Sequence, residues 1–132
     1  MSVIETRLNL TSETSLKNEA HMRGLVAELE AKSEKLHLGG GEKYMEKHIA
    51  RGKLPVRERI NALIDAGSPF LEVNALAADD MYGDNIASAG IVAGIGRIEG
   101  IECMIVANDA TVKGGTYFPM TVHGFLLLQR KI

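Results

Sequence analysis

The residues best suited to chemistry lie in one short segment, Thr111-Val-Lys-Gly-Gly-Thr116. It follows an apolar stretch typical of a buried strand, and α/β proteins usually bind ligands at the ends of such strands. Gly114 and Gly115 allow the backbone to approach a ligand closely and to present N–H groups, and Lys113 adds a positive charge. The pattern predicts an anion-binding loop. A tight turn with a solvated lysine is the alternative interpretation.

Two other glycine patterns resemble phosphate-binding motifs but lack a required residue. Gly94-Ile-Gly96 would need a third glycine at position 99 for a dinucleotide site, and that position is Glu99. Gly52-Lys53 is followed by Leu54, where a P-loop has Ser or Thr. We therefore interpret Gly94 and Gly96 as points of close backbone packing in a strand. A small nucleotide-binding protein is kept as a rival hypothesis.

The side chains that could bind a metal or act as a nucleophile are scattered. None of the four histidines is paired with Cys, Asp or another His at a metal-ligand spacing (His21, His37, His48 and His123). Asp79, Asp80 and Asp84 are typical of a solvated acidic loop. The single cysteine, Cys103, lies in an apolar stretch that predicts a buried, packed thiol. The sequence predicts no metal ligand and no catalytic residue in this chain.

The elements that must position these residues differ between the two halves of the chain. Residues 1–69 hold 11 Lys/Arg and 10 Asp/Glu, whereas residues 70–132 hold 4 and 7 together with most of the glycines. Their patterns predict helices followed by a packed sheet. The expected helices are 13–37, 42–51, a third from Pro55 to Gly67, and 120–131; the expected strands are 70–73, 91–98 and 102–107. The last two strands are expected to form a β-hairpin that turns at Gly100, with both faces of each strand covered. The expected buried face of the third helix consists of Val56, Ile60, Leu63 and Ile64.

The first of these helices has one apolar stripe, formed by residues at helical spacing: Met22, Leu25, Val26, Leu29 and Leu36. Ser12 is its expected N-cap, and Gly39-Gly-Gly41 its expected end. Such a stripe predicts packing on the chain's own core or on a partner subunit. A non-catalytic module that docks on other subunits through this helix is therefore a second rival hypothesis.

Composition limits the classes of function. Apolar residues make up 45% and charged residues 24%, and the net charge of −2 excludes the basic footprint of a nucleic-acid-binding protein. No apolar run approaches the ~20 residues that a membrane span needs, and the N-terminus resembles neither a signal nor a transit peptide. One cysteine allows no internal disulfide. We expect a cytoplasmic protein.

Five segments, taken in order, resemble the carboxyltransferase subunits of biotin-dependent acyl-CoA carboxylases, especially the β subunits of the methylcrotonoyl-CoA branch. They are Gly39-Gly-Gly-Glu-Lys43; Lys47-His-Ile-Ala-Arg-Gly-Lys-Leu54; Arg57-Glu-Arg-Ile60 with Gly67-Ser-Pro-Phe-Leu-Glu72; Ala89-Gly-Ile-Val92 with Gly94-Ile-Gly-Arg97; and Cys103 to Pro119, which includes Asn108-Asp-Ala-Thr-Val-Lys-Gly-Gly-Thr116. The likeness covers roughly residues 1–122.

The resemblance implies an α/β, crotonase-like fold, with a helical segment over residues 1–69 and the start of a carboxyltransferase domain over residues 70–132. It also implies transfer of a carboxyl group from biotin, carried by a separate carrier domain, to an acyl-CoA such as 3-methylcrotonoyl-CoA in leucine degradation. The implied partners are a biotin carboxylase and carrier α subunit and further β subunits. Lys113, Gly114 and Gly115 would lie near the acyl-CoA.

The sequence departs from the family in two respects. Relatives of this kind are several-fold longer, and their oxyanion loops are expected beyond residue 132, so no catalytic residue is assigned here. After Met120-Thr-Val122, where the family continues into a Lys-rich helix start, this chain has His123 to Ile132 with an apolar run over 125–128. We expect this tail to come from a truncated or frameshifted reading frame, and the chain to be inactive by itself.

Overall fold

The computed structural model describes residues 6, 8–82 and 86–129. These residues form four α-helices: α1 (Glu13–His37), α2 (Glu42–Ile49), α3 (Val56–Leu63) and α4 (Pro119–Gln129). The three strands are β1 (Leu71–Glu72), β2 (Ile91–Ile98) and β3 (Ile101–Asn108), and short 3-10 turns span Ala87–Gly90 and Lys113–Gly115. The predicted elements are thus confirmed in type and order. Residues 130–131 of the expected last helix and the acidic residue Asp84 lie outside the described residues.

The chain divides into two compact units, Met1–Lys32 and Ser33–Ile132. In the first unit the predicted N-cap is confirmed, because Ser12 Oγ accepts a hydrogen bond from the Ser15 N–H at 3.2 Å. The stripe residues Met22, Leu25, Val26 and Leu29 are 45–56% exposed. Packing of this stripe on a core or on a partner subunit stays a prediction.

The second unit is built on an antiparallel sheet of order β1-β2-β3. Its core cluster below the sheet combines Val56 and Ile60 of α3 with Val92 and Ile105. A smaller cluster joins Leu36 at the end of α1 to Ile86, Ala87 and Val112. The predicted buried face of α3 is confirmed for Val56 and Ile60, whereas the prediction for Leu63 is wrong, since that side chain is 51% exposed.

The hairpin between β2 and β3 turns at Glu99 and Gly100, which both have positive φ, at 49° and 81°. Gly100 thus has the role predicted for it. Asp65 holds the turn from outside the hairpin. Its two carboxylate oxygens accept hydrogen bonds from the Glu99 and Gly100 N–H groups at 2.7 and 2.8 Å. The turn is therefore positioned by the segment that follows α3.

The two strands of the hairpin are not equally covered. β2 is buried over Ile91–Gly94, as predicted, but β3 is exposed at Ile101 and Glu102 and mostly half-buried beyond them. The prediction that both faces of β3 are covered is therefore wrong in the described structure. Cys103 is likewise half-buried rather than buried, and it packs at the edge of the α3 cluster.

The glycines of β2 mark close packing, as predicted. A Cβ on Gly94 would overlap the Leu71 carbonyl oxygen and come within 2.5 Å of the Phe70 ring. A Cβ on Gly96 would lie 2.8 Å from Ile64 Cγ2. These positions lie inside a strand of a hairpin, so they do not form the strand-to-helix turn that a dinucleotide site requires.

Candidate functional site

Two segments that are about 70 residues apart in the sequence meet in the structure. The turn that ends α1, Gly39–Gly41, lies against the turn that follows β3, Asp109–Thr111. A Cβ on Gly40 would overlap the Thr111 carbonyl group, and a Cβ on Gly39 would lie 2.6 Å from Asp109 Oδ2. We call Gly39, Gly40, Asp109 and Thr111 the glycine junction. It explains why bulkier residues do not fit at Gly39 and Gly40.

Hydrogen bonds run through the glycine junction in one chain. The Gly40 N–H donates to Thr111 Oγ1 at 3.1 Å, and the Thr111 hydroxyl donates to Asp109 Oδ1 at 2.6 Å. The same Asp109 oxygen accepts from the Thr111 N–H at 2.9 Å. Asp109 and Thr111 are only 5% and 3% exposed. Because these buried polar groups satisfy one another, the junction holds the start of the loop after β3 in one conformation.

Further contacts connect this loop to the sheet and to α3. The Asp109 N–H donates to the Gly90 carbonyl at 2.9 Å, and Arg59 Nη2 donates to the Asn108 carbonyl at 2.6 Å. The buried Asn108 Oδ1 has no hydrogen-bond partner among the described residues. The hydrogen bonds of Asp109 and Asn108 therefore hold the backbone at the start of this loop against the sheet and α3.

The predicted binding residues Lys113, Gly114 and Gly115 form the 3-10 turn that follows. All three have positive φ, at 46°, 70° and 84°. The turn is closed by a bond from the Gly115 N–H to the Val112 carbonyl at 2.9 Å and by one from the Thr116 hydroxyl to the Lys113 carbonyl at 2.9 Å. A Cβ on Gly115 would lie 2.8 Å from Asn108 Nδ2. The structure brings the three residues together, and their contact with a ligand stays a prediction.

Gly114, unlike Gly115, has no atoms packed close to its Cα. It is exposed, and a Cβ built on it would have no atom within 4 Å. Its N–H donates to no described residue. Gly114 thus has open space beside its Cα, which would allow a ligand to approach its backbone closely.

A cleft of about 200 Å³ separates this loop from α2. Its lining consists of Tyr44, Lys47, His48 and Arg51 on the helix side and Ala110, Thr111 and Gly114 on the loop side. We call it the basic cleft, because its lining contains two cations and a histidine but no carboxylate. Lys47 and Arg51 are not among the residues that the sequence predicts to bind a ligand. Lys47 lies on α2 and Arg51 lies just beyond its C-terminal end. Two cations four residues apart are the signal that could have identified them.

Two further observations concern sites of other kinds. In the part of the chain that the structure describes, no group of three or more His, Cys, Asp and Glu side chains could hold a metal ion. Within the same residues, no helix is both long enough and apolar enough to cross a membrane.

Comparison with known families and proteins identifies relatives across most of the chain. Residues 47–131 match the family model of the carboxyl transferase domain, a range that includes the segment 123–131 expected to depart from the family. The methylcrotonoyl-CoA carboxylase β chain of Dictyostelium discoideum is 51% identical over 129 residues, 97% of this chain and 22% of the relative. The 3-methylcrotonyl-coenzyme A carboxylase β1 subunit of Mycobacterium tuberculosis is 58% identical over 107 residues, 81% of this chain and 20% of the relative.

Solved structures agree with these relatives. The β subunit of P. aeruginosa geranyl-CoA carboxylase superposes with a TM-score of 0.83 at 33% identity, over 98% of this chain and 24% of that subunit. Transcarboxylase 12S, solved with methylmalonyl-coenzyme A and methylmalonic acid bound, superposes with a TM-score of 0.73 at 30% identity, over 83% of this chain and 22% of that one. The chain therefore spans less than a quarter of the length of these relatives. On its matched sequence and its α/β, crotonase-like architecture, it belongs to the carboxyl transferase domain family.

Proposed function

We propose that this chain is the N-terminal part of the carboxyltransferase component of a biotin-dependent acyl-CoA carboxylase, which moves a carboxyl group from carboxybiotin to an acyl-CoA. The observation that carries the proposal is the match of residues 47–131 to the carboxyl transferase domain. The glycine junction supports it, since it joins two of the segments that resemble this family, Gly39–Lys43 and Cys103–Pro119, into one hydrogen-bonded unit.

The proposed substrate is 3-methylcrotonoyl-CoA, an intermediate of leucine degradation. Support comes from relatives named as methylcrotonoyl-CoA carboxylase β chains, at 41–51% identity over 129 residues in three organisms. Carboxylation of such a thioester passes through an enolate-like state, whose oxyanion is stabilised by backbone N–H donors. In the proposal these donors come from loops beyond residue 132. Lys113, Gly114 and Gly115 contribute to the neighbourhood of the acyl-CoA.

The proposed partners follow from the same assignment. Biotin would arrive on a carrier domain of an α subunit that also contains the biotin carboxylase, and no residue of this chain is assigned to it. Further β subunits would complete the assembly. Among the structural relatives, transcarboxylase 12S forms a hexamer assembly and binds substrate at a multienzyme core.

The reaction is tested on the assembled carboxylase that contains this segment. With ATP and radiolabelled bicarbonate, we expect acid-stable label in the product when 3-methylcrotonoyl-CoA is supplied, and less label with propionyl-CoA or acetyl-CoA. More efficient labelling of propionyl-CoA would reassign the substrate. No labelling with any of the three would contradict the proposed activity.

A role in subunit docking is the second candidate, favoured by the apolar stripe of α1. Met22, Leu25, Val26 and Leu29 expose about half of their surface in the described structure, whereas apolar residues at this spacing usually pack against another element. Sedimentation of the chain with and without Leu25→Glu and Leu29→Glu tests this role. A smaller assembly for the variant is expected, and an unchanged assembly would contradict docking through α1.

A cytoplasmic location is proposed on the free thiol of Cys103, because free thiols are typical of reducing compartments. Three relatives from eukaryotes are named as mitochondrial. Fractionation of cells that produce the protein tests the proposal, and recovery in a membrane or secreted fraction would contradict it.

A further inference from the structure

We propose that Thr121 and the turn Ser88–Gly90, which precedes β2, are positioning residues for the loop 109–118. They would hold this loop, which joins β3 to α4, in the conformation that meets the acyl-CoA. The inference rests on the proposed function, in which the Lys113–Gly115 turn of the loop lies near the substrate. It assigns a role in the reaction to residues that do not touch the substrate themselves. We call Ser88–Gly90 the left-handed turn.

The left-handed turn consists of three consecutive residues with positive φ. The values are 50° at Ser88, 55° at Ala89 and 76° at Gly90. This conformation disfavours residues that have a Cβ, so it persists only where surrounding contacts fix it. Ser88 and Ala89 are indeed buried, at 3% and 1% exposed. Strained backbone of this kind clusters at ligand clamps and other functional sites, which makes the contacts of the turn informative.

Both ends of the loop 109–118 are bound to adjacent carbonyl groups of the left-handed turn. At the start of the loop, the Asp109 N–H donates to the Gly90 carbonyl at 2.9 Å. Just beyond its end, in the first turn of α4, the Thr121 hydroxyl donates to the Ala89 carbonyl at 2.5 Å. The left-handed turn therefore fixes where the loop leaves the sheet and where it enters the helix.

Thr121 contributes two hydrogen bonds to the end of the loop. Besides donating to the Ala89 carbonyl, its Oγ1 accepts from the Phe118 N–H at 3.0 Å. The residue is 0% exposed, so water cannot replace either partner. Valine has the same shape but would leave both partners unsatisfied. The hydroxyl of Thr121, rather than its volume, thus ties the last residue of the loop to the left-handed turn.

The left-handed turn is fixed independently of the loop by the segment that follows β1. The Ser88 hydroxyl donates to the Ala75 carbonyl at 3.0 Å. Asn74 Nδ2 donates to the Ile91 carbonyl at 3.1 Å, and Asn74 Oδ1 accepts from the Ala93 N–H at 2.8 Å. These bonds connect the turn and the start of β2 to a third part of the chain. The turn is therefore a fixed base against which the loop is positioned.

The part of the loop proposed to meet the substrate lies between the two bound ends. Lys113 and Gly114 are exposed, and a Cβ on Gly114 would meet no atom within 4 Å. Packing around Gly114 therefore does not fix its position, which depends on how the rest of the loop is held. A displacement of ~1 Å in groups that position a substrate can cost ~100-fold in rate. Loss of one bound end should thus be measurable in the reaction.

Steady-state kinetics of the assembled carboxylase with 3-methylcrotonoyl-CoA test this inference. Thr121→Val is expected to raise KM for the acyl-CoA about tenfold. The value of kcat should change less than about twofold, because the proposed oxyanion donors lie beyond residue 132. Thr121→Ser keeps the hydroxyl and should bring KM back to within about twofold of the unmodified enzyme. Ser88→Ala removes only the bond to the Ala75 carbonyl, and this milder variant should raise KM about threefold.

Asp65→Ala is the matched control for a general loss of stability. It removes two hydrogen bonds from the hairpin turn at Glu99 and Gly100, at the end of β2 and β3 opposite the left-handed turn. We expect a lower melting temperature but a KM within about twofold of the unmodified enzyme. If Asp65→Ala and Thr121→Val raised KM equally, destabilisation would explain both results and the positioning role would be wrong.

Limited digestion of the assembled carboxylase with trypsin reports on the loop without catalysis. Cleavage after the exposed Lys113 should be about fivefold faster in Thr121→Val, because a loop released at one end opens more often. The rate in Asp65→Ala and Thr121→Ser should match that of the unmodified enzyme. Equal rates in Thr121→Val and the unmodified enzyme would overturn the inference, since the hydroxyl would then not hold the loop.

The outcomes separate this inference from the proposed function. An unchanged KM in an active Thr121→Val enzyme would overturn the positioning role and leave the carboxyltransferase function intact. A rise in KM that Thr121→Ser shares in full would also overturn it, because the hydroxyl would not be the cause. Absence of carboxylation by the unmodified enzyme would instead contradict the proposed function.

Discussion

The segment from Asp109 to Gly115 has two contrasting sides. Toward the end of α1 it forms the glycine junction, where polar groups are buried and a single added methyl group would overlap backbone atoms. Toward α2 it lines the basic cleft, where Gly114 is exposed and meets nothing within 4 Å. The difference shows that one side of the segment is used for anchoring, which leaves the other side available for a ligand. Substitutions on the two sides should therefore change different measurements.

The largest effect is expected for Gly40→Ala, which tests the glycine junction directly. The new Cβ would overlap the Thr111 carbonyl group, so the loop or the end of α1 must shift. We expect the free energy of unfolding to fall by about 3 kcal/mol, measured by urea unfolding followed by circular dichroism.

Gly24→Ala is the control for this substitution. Gly24 lies inside α1 with nothing within 4 Å of an added Cβ. Alanine there should stabilise the helix by about 1 kcal/mol. A loss of stability at Gly24, or none at Gly40, would contradict the steric explanation.

The next effect is expected for Thr111→Val, which keeps the shape of the side chain but removes its hydroxyl. The Gly40 N–H loses its acceptor and the buried Asp109 carboxylate loses a donor. Unsatisfied buried groups of this kind should lower the free energy of unfolding by about 2 kcal/mol. Thr111→Ser keeps the hydroxyl and loses only a methyl group, at about 1 kcal/mol. If Thr111→Ser were as damaging as Thr111→Val, packing rather than hydrogen bonding would hold the junction.

A smaller loss is expected for Gly114→Ala, on the cleft side. No atom opposes the new methyl group, so the cost comes from φ at +70°, a conformation that disfavours residues with a Cβ. The expected loss in thermal unfolding is about 1 kcal/mol, and Gly114→Asn should lose less, because Asn tolerates this conformation. A loss as large as that of Gly40→Ala would remove the contrast between the two sides.

The smallest change in stability is expected for Lys47→Ala and Arg51→Ala. Lys47 lies on α2 and Arg51 just beyond it, and both side chains are exposed. The free energy of unfolding should therefore stay within about 0.5 kcal/mol of its original value. Urea unfolding of both variants checks this expectation, and a loss above about 1 kcal/mol would show that the chain needs these cations for folding.

Local patterns predicted most of the secondary structure because caps, turns and periodicity act over a few residues. Ser12, Gly39 and Gly100 have the roles that their types and positions predicted. Leu63 and β3 were less predictable, because apolar residues in a local pattern do not specify whether another element covers them.

The sequence by itself determined the family and the order of the elements, and it predicts an anion-binding loop at Thr111–Thr116. These follow from motifs and from short-range conformational preferences of Gly, Pro, Ser and the β-branched residues. The tertiary structure alone decided that Gly40 contacts Thr111 and that Lys47 and Arg51 face Gly114. These pairs lie more than 60 residues apart, and their meeting depends on how the sheet and helices pack, which no local pattern encodes.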